Sequence, residues 1–503
     1  MTRISYFSLS LICTIVVIVF IRLLPSYGIT FDEIENMGVG HKTLNFYLTG
    51  HLNYADDLPI LPDHPYIYTD ILKLPAVHPW PFPNVISAIS CQVFHNLGWL
   101  SVIDAHHLAN LPFILLLILS FFWFVSKYFG RLEAILAILI LLTTPRLFAD
   151  YFDNIKDIPL VFLFSLTLFL CFDWLKTKQV KSLSLGIFCL ALTAATKPDV
   201  IYIPPILLLF ILVSRRQIHP AFSISLLKSI LPAITISLLV LWLLFPLFLP
   251  LGFPTPTDYI IQVKTQASHI LRYVFWIGTA PTEGWNLYLP LYILVTTPIL
   301  TLFLYASGIF QSLFRPRSVT TFLLSWIGVI AFRHTLPGAQ HYDGVRHFMV
   351  IFTPLTLLAS SAVVTLCRRR PTRILIFSLI LLAAQIHALV VSHPFQNTYF
   401  NQIIGGLGGA QSQNWRYSHD YWLSSYRHAI NWLNKHTTGD AAVSASIRPD
   451  LLVFYDLRPG LSIPETTPST IYVISTYKPV SGTLIHQESR QGGIVYSLYS
   501  LSE

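Results

Sequence analysis

Long apolar segments dominate this sequence and decide its fold class. A helix needs roughly 20 apolar residues to cross a bilayer, and about eleven stretches come near that length. They lie near 8–25, 106–126, 132–146, 158–175, 182–197, 200–214, 226–250, 287–308, 319–335, 348–366 and 373–392. Only 11% of the residues are charged, against roughly 25% in soluble domains. The sequence therefore predicts an all-α polytopic membrane domain with about eleven transmembrane helices.

Basic residues predict how these spans are oriented. Lys and Arg collect in every second loop, which indicates cytoplasmic loops. Representative positions are Arg3, Lys127, Arg131, Lys176, Arg215, Arg315 and Arg368. No small-residue cleavage site follows the first apolar run, so we interpret that run as a retained span. We expect an integral plasma (inner) membrane protein with a cytoplasmic N-terminus and an extracytoplasmic C-terminus.

The remaining loops face outward in this scheme, and two of them are large. The first outer loop, 26–105, mixes apolar and polar residues at helical spacing within 34–52 and 82–100, which predicts amphipathic helices on the membrane surface. After the membrane domain, 1–393, the apolar runs stop. Residues 394–503 read as a small extracytoplasmic α/β domain, with a helix over 420–435 and strands over 442–447, 451–455, 471–477 and 494–501.

The cysteines do not indicate a disulfide framework or a zinc site. The five positions are scattered through the chain, and their spacing matches neither pattern. They are Cys13, Cys91, Cys171, Cys189 and Cys367. We expect these side chains to serve in packing.

Two adjacent carboxylates, Asp32 and Glu33, follow the first span directly. Ionisable groups at the edge of a span are functional candidates, because hydrocarbon is a poor environment for charge. The alternative is a solvated loop, or acidic caps on a following helix.

A second acidic segment follows the third apolar stretch. Thr144-Pro145 resembles a helix start, with a capping Thr and a Pro at the first position. If one helix follows, Arg146, Asp150, Asp153 and Asp157 fall at spacings of four, three and four and share a face. The alternative is a stripe of salt bridges at the water edge.

Outward-facing cations form the third candidate group. Arg346 lies at the start of a span in the 334–347 loop, and Arg146, Lys197 and Arg272 occupy comparable positions. Such residues interrupt the basic-inside pattern, and an arginine can bind a phosphate through two parallel hydrogen bonds. The alternative for Arg346 is a local pair with Asp343, three residues earlier.

The distribution of charge favours a reaction at the outer surface. Transporters place ionisable groups within their spans, whereas here they collect in the outer loops. With a lipid-phosphate sugar as donor, the leaving group is already a phosphate and needs positive charge. The acceptor hydroxyl needs a base, and a carboxylate such as Asp32 suffices. The scheme requires no cofactor and is compatible with a divalent metal ion.

Several motifs in this order resemble the membrane glycosyltransferases of the GT-C superfamily. They are Asp32-Glu33, His78-Pro79, Pro145-Arg146 through Pro159, Thr196-Lys197-Pro198, the stretch from Tyr342 to Phe348, and His393 to Gly409 with Asp420-Tyr421-Trp422. The closer likeness is to the protein O-mannosyltransferases and their bacterial relatives, including the aminoarabinose transferases that act on lipid A. It covers roughly residues 25–430.

The resemblance implies a polyprenyl-phosphate sugar donor used on the extracytoplasmic face. Asp32 would be the base beside Glu33, with Asp153 or Asp157 as the second acidic position. The candidates for binding substrate or lipid phosphate are Arg146, Lys156, Lys197, Arg272, Tyr342, Arg346 and His78. Glu33 and His78 are also candidates to hold a metal.

The acceptor stays open between a lipid, a glycan and a protein. The 251–286 loop is far too short for the β-trefoil insert of the eukaryotic mannosyltransferases. We expect no nucleic-acid partner. The competing interpretations are a multi-span transporter or flippase for a lipid-linked or anionic substrate, and a non-catalytic scaffold.

Overall fold

The computed structural model describes residues 3–49, 80–215, 224–244, 257, 264, 284–337, 339, 341–463, 470–478 and 480–502. The candidates His78 and Arg272 lie outside these residues. The helices are α1 (Arg3–Leu23), α2 (Glu33–Thr49), α3 (Phe82–Asn96), α4 (Val102–His107), α5 (Asn110–Tyr128), α6 (Arg131–Leu142), α7 (Pro145–Asp153), α8 (Asp157–Thr177), α9 (Val180–Ala194), α10 (Ile203–Val213), α11 (Ile224–Leu244), α12 (Tyr288–Thr296), α13 (Ile299–Phe314), α14 (Ser318–Thr335), α15 (Phe352–Leu366), α16 (Pro371–Ser392), α17 (Gly406–Ser412) and α18 (Tyr426–His436).

The described residues contain six helices long and apolar enough to cross a membrane. These are Phe7–Ser26, Val102–Tyr128, Asp157–Thr177, Ile224–Leu244, Arg346–Leu366 and Pro371–Ser392. Counting the bent pair α6–α7 as one span gives up to seven, and Val180–Ala194, Pro198–Val213 and Ile299–Phe314 are shorter apolar helices. The helical membrane domain is confirmed, whereas the count of about eleven spans is not.

Helix α8 lies at the centre of the bundle, and 89% of its most apolar window is buried. A helix that is apolar on every face is stable only when other helices surround it. Aromatic rings fill the space around it: Phe169 of α8 stacks on Phe124 of α5, with ring centroids 4.0 Å apart. The ring centroids of Phe172 and of Phe322 in α14 lie 4.8 Å apart. This core fixes the position of the N-terminal end of α8, where Asp157 lies.

The helix predicted from Pro145 forms, but it does not continue to Asp157. Helix α7 begins at Pro145 and ends at Asp153, and Asn154 is extended with φ −124° and ψ 114°. A new helix begins at Asp157, where Pro159 falls in the first turn and its missing N–H costs no hydrogen bond. The prediction that Asp157 shares one helix face with Arg146 was therefore wrong.

The first outer loop contains the two expected helices, α2 and α3. Helix α2 differs from a surface helix, because twelve of its seventeen residues are buried. At Gly40 its backbone approaches α3 so closely that a Cβ there would lie 2.2 Å from the Asn84 carbonyl oxygen. Ile34 and Met37 belong to a core that also contains residues of the C-terminal segment.

The C-terminal segment folds into α18 and a five-stranded mixed sheet. The strands are β1 (Ala441–Ala445), β2 (Leu461–Ser462), β3 (Thr470–Ser475), β4 (Thr483–Arg490) and β5 (Gly493–Ser502). Their order is β2-β1-β3-β5-β4; β1 pairs in parallel with β2 and β3, and β5 pairs antiparallel with β3 and β4. The predicted strand 451–455 was wrong, since Pro449–Phe454 forms a 3-10 helix, and β4 was not predicted.

This segment packs on the residues around Asp32. The Phe31 N–H donates to the Trp422 carbonyl at 2.9 Å, and Arg448 donates to the Phe31 carbonyl at 3.1 Å. In α18, Arg427 pairs with Asp104 of α4 at 2.6 Å, and both side chains are about nine-tenths buried. The C-terminal segment and the outer loop therefore form one packed unit.

We predict that Asp104→Asn lowers the stability of this unit. Removing one partner of a buried ion pair leaves an uncompensated charge and costs about 3–5 kcal/mol. The double variant D104N/R427M should recover part of the loss. Thermal unfolding of the detergent-purified protein measures both effects.

The matched control is Asp450→Asn, whose pair with Arg448 is more exposed and is worth about 0–1 kcal/mol. Equal losses of melting temperature in D104N and D450N would contradict the assignment.

Candidate active site

Arg346 lies at the centre of a cluster of charges near the outer-loop end of the bundle. Its Nε donates to Asp157 Oδ2 at 2.9 Å. Its Nη1 donates to Asp32 Oδ2 at 2.6 Å and to Asp343 Oδ2 at 3.2 Å. The guanidinium also lies over the Trp422 ring, 4.7 Å from its centroid. The local pair with Asp343 exists, and it is the longest of the three contacts.

Asp157 is fully buried and holds this cluster together. Its Oδ1 accepts a hydrogen bond from Lys197 Nζ at 2.8 Å. Its Oδ2 accepts from Arg346 and from Asn154 Nδ2. A buried carboxylate is stable only when charges and donors surround it. Because both of its oxygens are occupied, the carboxylate positions its neighbours and is poorly placed to take a proton from a substrate.

Asp32 is the most exposed carboxylate of the cluster, with 38% of its side chain accessible. Burial alone would raise its pKa, but the Arg346 guanidinium holds the pKa below its ordinary value. Burial has the opposite net effect on Asp343: it raises the pKa to about 6, although Arg346 opposes the rise. Asp32 is therefore ionised at neutral pH and accessible to solvent.

Arg146 is the second buried guanidinium, and it is incompletely paired. Its side chain is 2% exposed and its Nε donates to the Tyr399 carbonyl at 3.2 Å. Its Nη1 and Nη2 are buried without a hydrogen-bond partner among the described residues. The ring of Phe400 lies 4.8 Å from the guanidinium carbon. An aromatic face supplies part of the missing stabilisation, but it leaves both terminal nitrogens free to bind an anion.

Arg146 and Arg346 line one narrow cleft. The other lining residues are Ala149, Asp150, Asp153, Asp343, Val345, Asn397, Tyr421 and Trp422. Gly344 closes one side with a φ of +65°, and a Cβ there would lie 2.6 Å from Arg146 Nη1 and 2.7 Å from the Tyr421 hydroxyl. A glycine is needed at this position for its positive φ and for the close approach of its backbone.

Lys156 lies beside this cluster. Its pKa falls to about 8, because burial and the neighbouring Arg346 both disfavour the charged form. Lys197 differs: burial lowers its pKa, but Asp157 outweighs this and the pKa is raised. Lys156 is thus the cation of the cluster that titrates nearest to neutral pH.

The remaining predicted residues are Glu33, Asp153 and Tyr342. Glu33 is buried, and its two oxygens accept hydrogen bonds from His107 Nε2 at 2.8 Å and from the Thr30 N–H at 2.6 Å. Each oxygen of the Glu33 carboxylate therefore accepts one hydrogen bond. Asp153 lines the cleft, and its Oδ1 is buried with no hydrogen-bond partner in the part of the chain that the structure describes. Tyr342 is 44% exposed and packs on His347.

Sequence reasoning missed several lining residues, among them Tyr421, Trp422 and Asn397. They belong to the C-terminal segment and reach the cleft only through tertiary packing. The stretch Asp420-Tyr421-Trp422 belongs to the motifs that carry the family resemblance, but the sequence alone does not place its aromatic rings in the site.

The fold and part of the sequence match known proteins. The family model described as dolichyl-phosphate-mannose-protein mannosyltransferase matches residues 77–247, about a third of the chain. The crystal structure of ArnT from Cupriavidus metallidurans in the apo state aligns with a TM-score of 0.51 at 12% identity, over 98% of this chain and 97% of that one. The form bound to undecaprenyl phosphate aligns with a TM-score of 0.52 over the same shares, also at 12% identity. No curated protein matches the sequence.

This chain has the GT-C fold. The ArnT alignment extends over nearly the whole of both chains, so it includes the membrane helices and the C-terminal segment. The resemblance indicated by the order of the motifs is thereby confirmed. At 12% identity the likeness shows the fold alone, and the roles of individual residues in this GT-C chain rest on its own geometry.

Proposed function

We propose that this GT-C chain transfers a sugar from a polyprenyl-phosphate donor to an acceptor on the extracytoplasmic face of the plasma membrane. The observation that carries the proposal is the buried Arg146 guanidinium, whose two terminal nitrogens have no hydrogen-bond partner among the described residues. Buried nitrogens of a charged group that lack hydrogen-bond acceptors are costly, and an anionic ligand would remove that cost. The matching ArnT structure that contains undecaprenyl phosphate supports a lipid phosphate as the anion.

The donor phosphate would bind between Arg146 and Arg346. Hydrogen bonds between guanidinium and phosphate are charge-assisted and often bidentate. Lys156 and Lys197 add positive charge to the same cluster, while Asp157 keeps Arg346 and Lys197 in place. As the sugar leaves the phosphate, these cations stabilise the negative charge that develops there. No protonating acid is needed at the leaving group.

Asp32 would be the base that accepts the proton of the acceptor hydroxyl. It is ionised at neutral pH, because Arg346 outweighs the effect of burial and lowers the Asp32 pKa below its ordinary value, and more than a third of its side chain is accessible. A carboxylate contributes as a base only when it reaches the hydroxyl directly or through one water. When the phosphate partly neutralises Arg346, the attraction between Arg346 and Asp32 weakens and the Asp32 carboxylate becomes more basic.

The cleft must open to admit the sugar. The described side chains leave a cavity of about 10 Å³ between them, which is close to the minimum for one water molecule. Separation of the Asp32–Arg346 pair would widen it, because this pair joins the loop before α2 to the start of the span at Arg346. Donor binding would therefore separate Arg346 from Asp32 and leave the Asp32 carboxylate more accessible to the acceptor.

The charges count against a transporter. Asp32, Asp157, Lys197 and Arg346 meet at the ends of helices or in the connections between them, whereas transporters place their ionic sites near the bilayer midplane. The acceptor is a lipid, a glycan or a protein carrying a free hydroxyl or comparable nucleophile.

The decisive experiment compares Asp32→Asn with Arg146→Met in a transfer assay with labelled polyprenyl-phosphate sugar. D32N should lower kcat by about 100-fold or more, the size of a general-base contribution, without raising the KM for the donor. R146M keeps the apolar stem over Phe400 but removes the charge, so it should raise the donor KM.

Arg416→Met is the control, since Arg416 is exposed and does not line the cleft. Near-normal turnover by D32N would refute the assignment of the base. An unchanged donor KM in R146M would refute the phosphate site.

The pKa of Lys156 predicts a pH dependence. Lys156 is mostly charged at pH 7 and loses its proton as the pH rises through about 8, so kcat/KM for the donor should fall over that range. The kcat/KM profile reports groups of the free enzyme. In Lys156→Arg the cation stays charged, and this alkaline fall should disappear. If kcat/KM of the variant still falls as the pH rises through about 8, the group responsible for the fall is not Lys156.

A further inference from the structure

Three buried side chains of the first outer loop converge on one point outside the catalytic cleft. They are His41 of α2, Cys91 of α3 and His106, which lies in α4. Their ligand atoms all lie within 4.8 Å of one another. The exposed fractions are 2% for His41 and 0% for the other two. None of the three lines the cleft between Arg146 and Arg346.

The two imidazoles face each other through their Nε2 atoms, which are 2.9 Å apart. The Nδ1 of His106 lies 2.8 Å from the Val102 carbonyl, so Nδ1 carries the proton and Nε2 presents a lone pair. Histidines that bind metals generally donate their other ring N–H to a carbonyl or carboxylate in this way. The rings are nearly perpendicular, at 80°, so both lone pairs can point to one ion between them.

We infer that His41, Cys91 and His106 bind one divalent ion of the zinc class, which joins α2, α3 and α4. Two imidazole and one thiolate ligand suit zinc, and a water molecule would complete the tetrahedron. On binding, Cys91 releases its thiol proton to solvent and forms the metal–sulfur bond. His41 binds through Nε2 and keeps its single proton on Nδ1.

The geometry is close to what zinc requires. With Zn–N bonds of about 2.0–2.1 Å, two nitrogens of a tetrahedral site lie about 3.3 Å apart, and a nitrogen and a sulfur about 3.6 Å apart. The His nitrogens, at 2.9 Å, need to separate by only a few tenths of an ångström. The Cys91 sulfur lies no more than 4.8 Å from the ligand nitrogens of both histidines, so it has to move by at most about 1.2 Å to reach the nitrogen–sulfur separation of a tetrahedral site.

The site would stabilise the outer loop without touching substrate. Helix α2 begins directly after Asp32, and His107, next to His106, already holds Glu33 at 2.8 Å. An ion bound by His41, Cys91 and His106 would cross-link the middle of α2 to α3 and α4. Metal bound by preorganised ligands adds its binding free energy to the folded state. The inference does not depend on the proposed transferase activity.

The test uses the full chain purified in detergent without chelators. Metal content per chain is measured first, followed by removal of the metal and titration with Co²⁺, whose thiolate complexes show a charge-transfer band. Variants Cys91→Ser and His41→Gln are compared with Cys189→Ser, a buried cysteine in α9 far from the two histidines along the chain. Melting temperature with and without added Zn²⁺ is recorded for each protein.

We expect one ion per chain and a cobalt–thiolate band in the wild type and in C189S. C91S should lose the band, and both site variants should bind Zn²⁺ at least about tenfold more weakly and lose the stabilisation by Zn²⁺. A wild type that shows no cobalt–thiolate band and no thermal shift would overturn the inference and leave a simple hydrogen-bonded histidine pair. A band that survives in C91S would also overturn it.

Discussion

The buried carboxylate of Asp157 is the interaction on which the arrangement of the site depends. A fully desolvated anion must be matched by cations and donors. This requirement draws together the N-terminal end of α8, Lys197 after α9 and Arg346 at the start of another span. Arg346 then extends the network to Asp32 at the beginning of the outer loop. One buried charge thus orders four segments that are distant in sequence.

Helix α7 lies beside this network and has one polar and one apolar face. Arg146, Ala149, Asp150 and Asp153 line the polar cleft. Phe148, Tyr151 and Phe152 line an apolar groove of about 780 Å³ that also contacts α1 and α16. The bend of 69° between α6 and α7 turns the short helix so that it can separate hydrocarbon from charge. Such a boundary suits a reaction between a lipid-borne phosphate and a polar acceptor.

Much of the fold could be predicted from the apolar runs and the side on which charges collect. The same pattern identified Asp32, Asp157, Lys197 and Arg346 as candidates, and the structure brings these four together. The helix break at Asn154 was missed, although Pro159 suits a helix start. The roles of Trp422, of Tyr421 and of the histidine–cysteine cluster could not be read from the sequence. Their partners are set by packing between segments, and the spacing of positions 41, 91 and 106 matches no metal-binding motif.

The central claim is that Asp157 acts by positioning Arg346 and Lys197 for an anionic lipid. Its most direct test is the affinity of the purified protein for undecaprenyl phosphate, measured for the wild type and for Asp157→Asn in correctly folded, monodisperse samples. Charge alone predicts tighter binding by the variant, because one negative charge is removed from the site. Our account predicts weaker binding, by about tenfold (1.4 kcal/mol) or more, because both cations lose their anchor. Equal or tighter binding by the variant would contradict it.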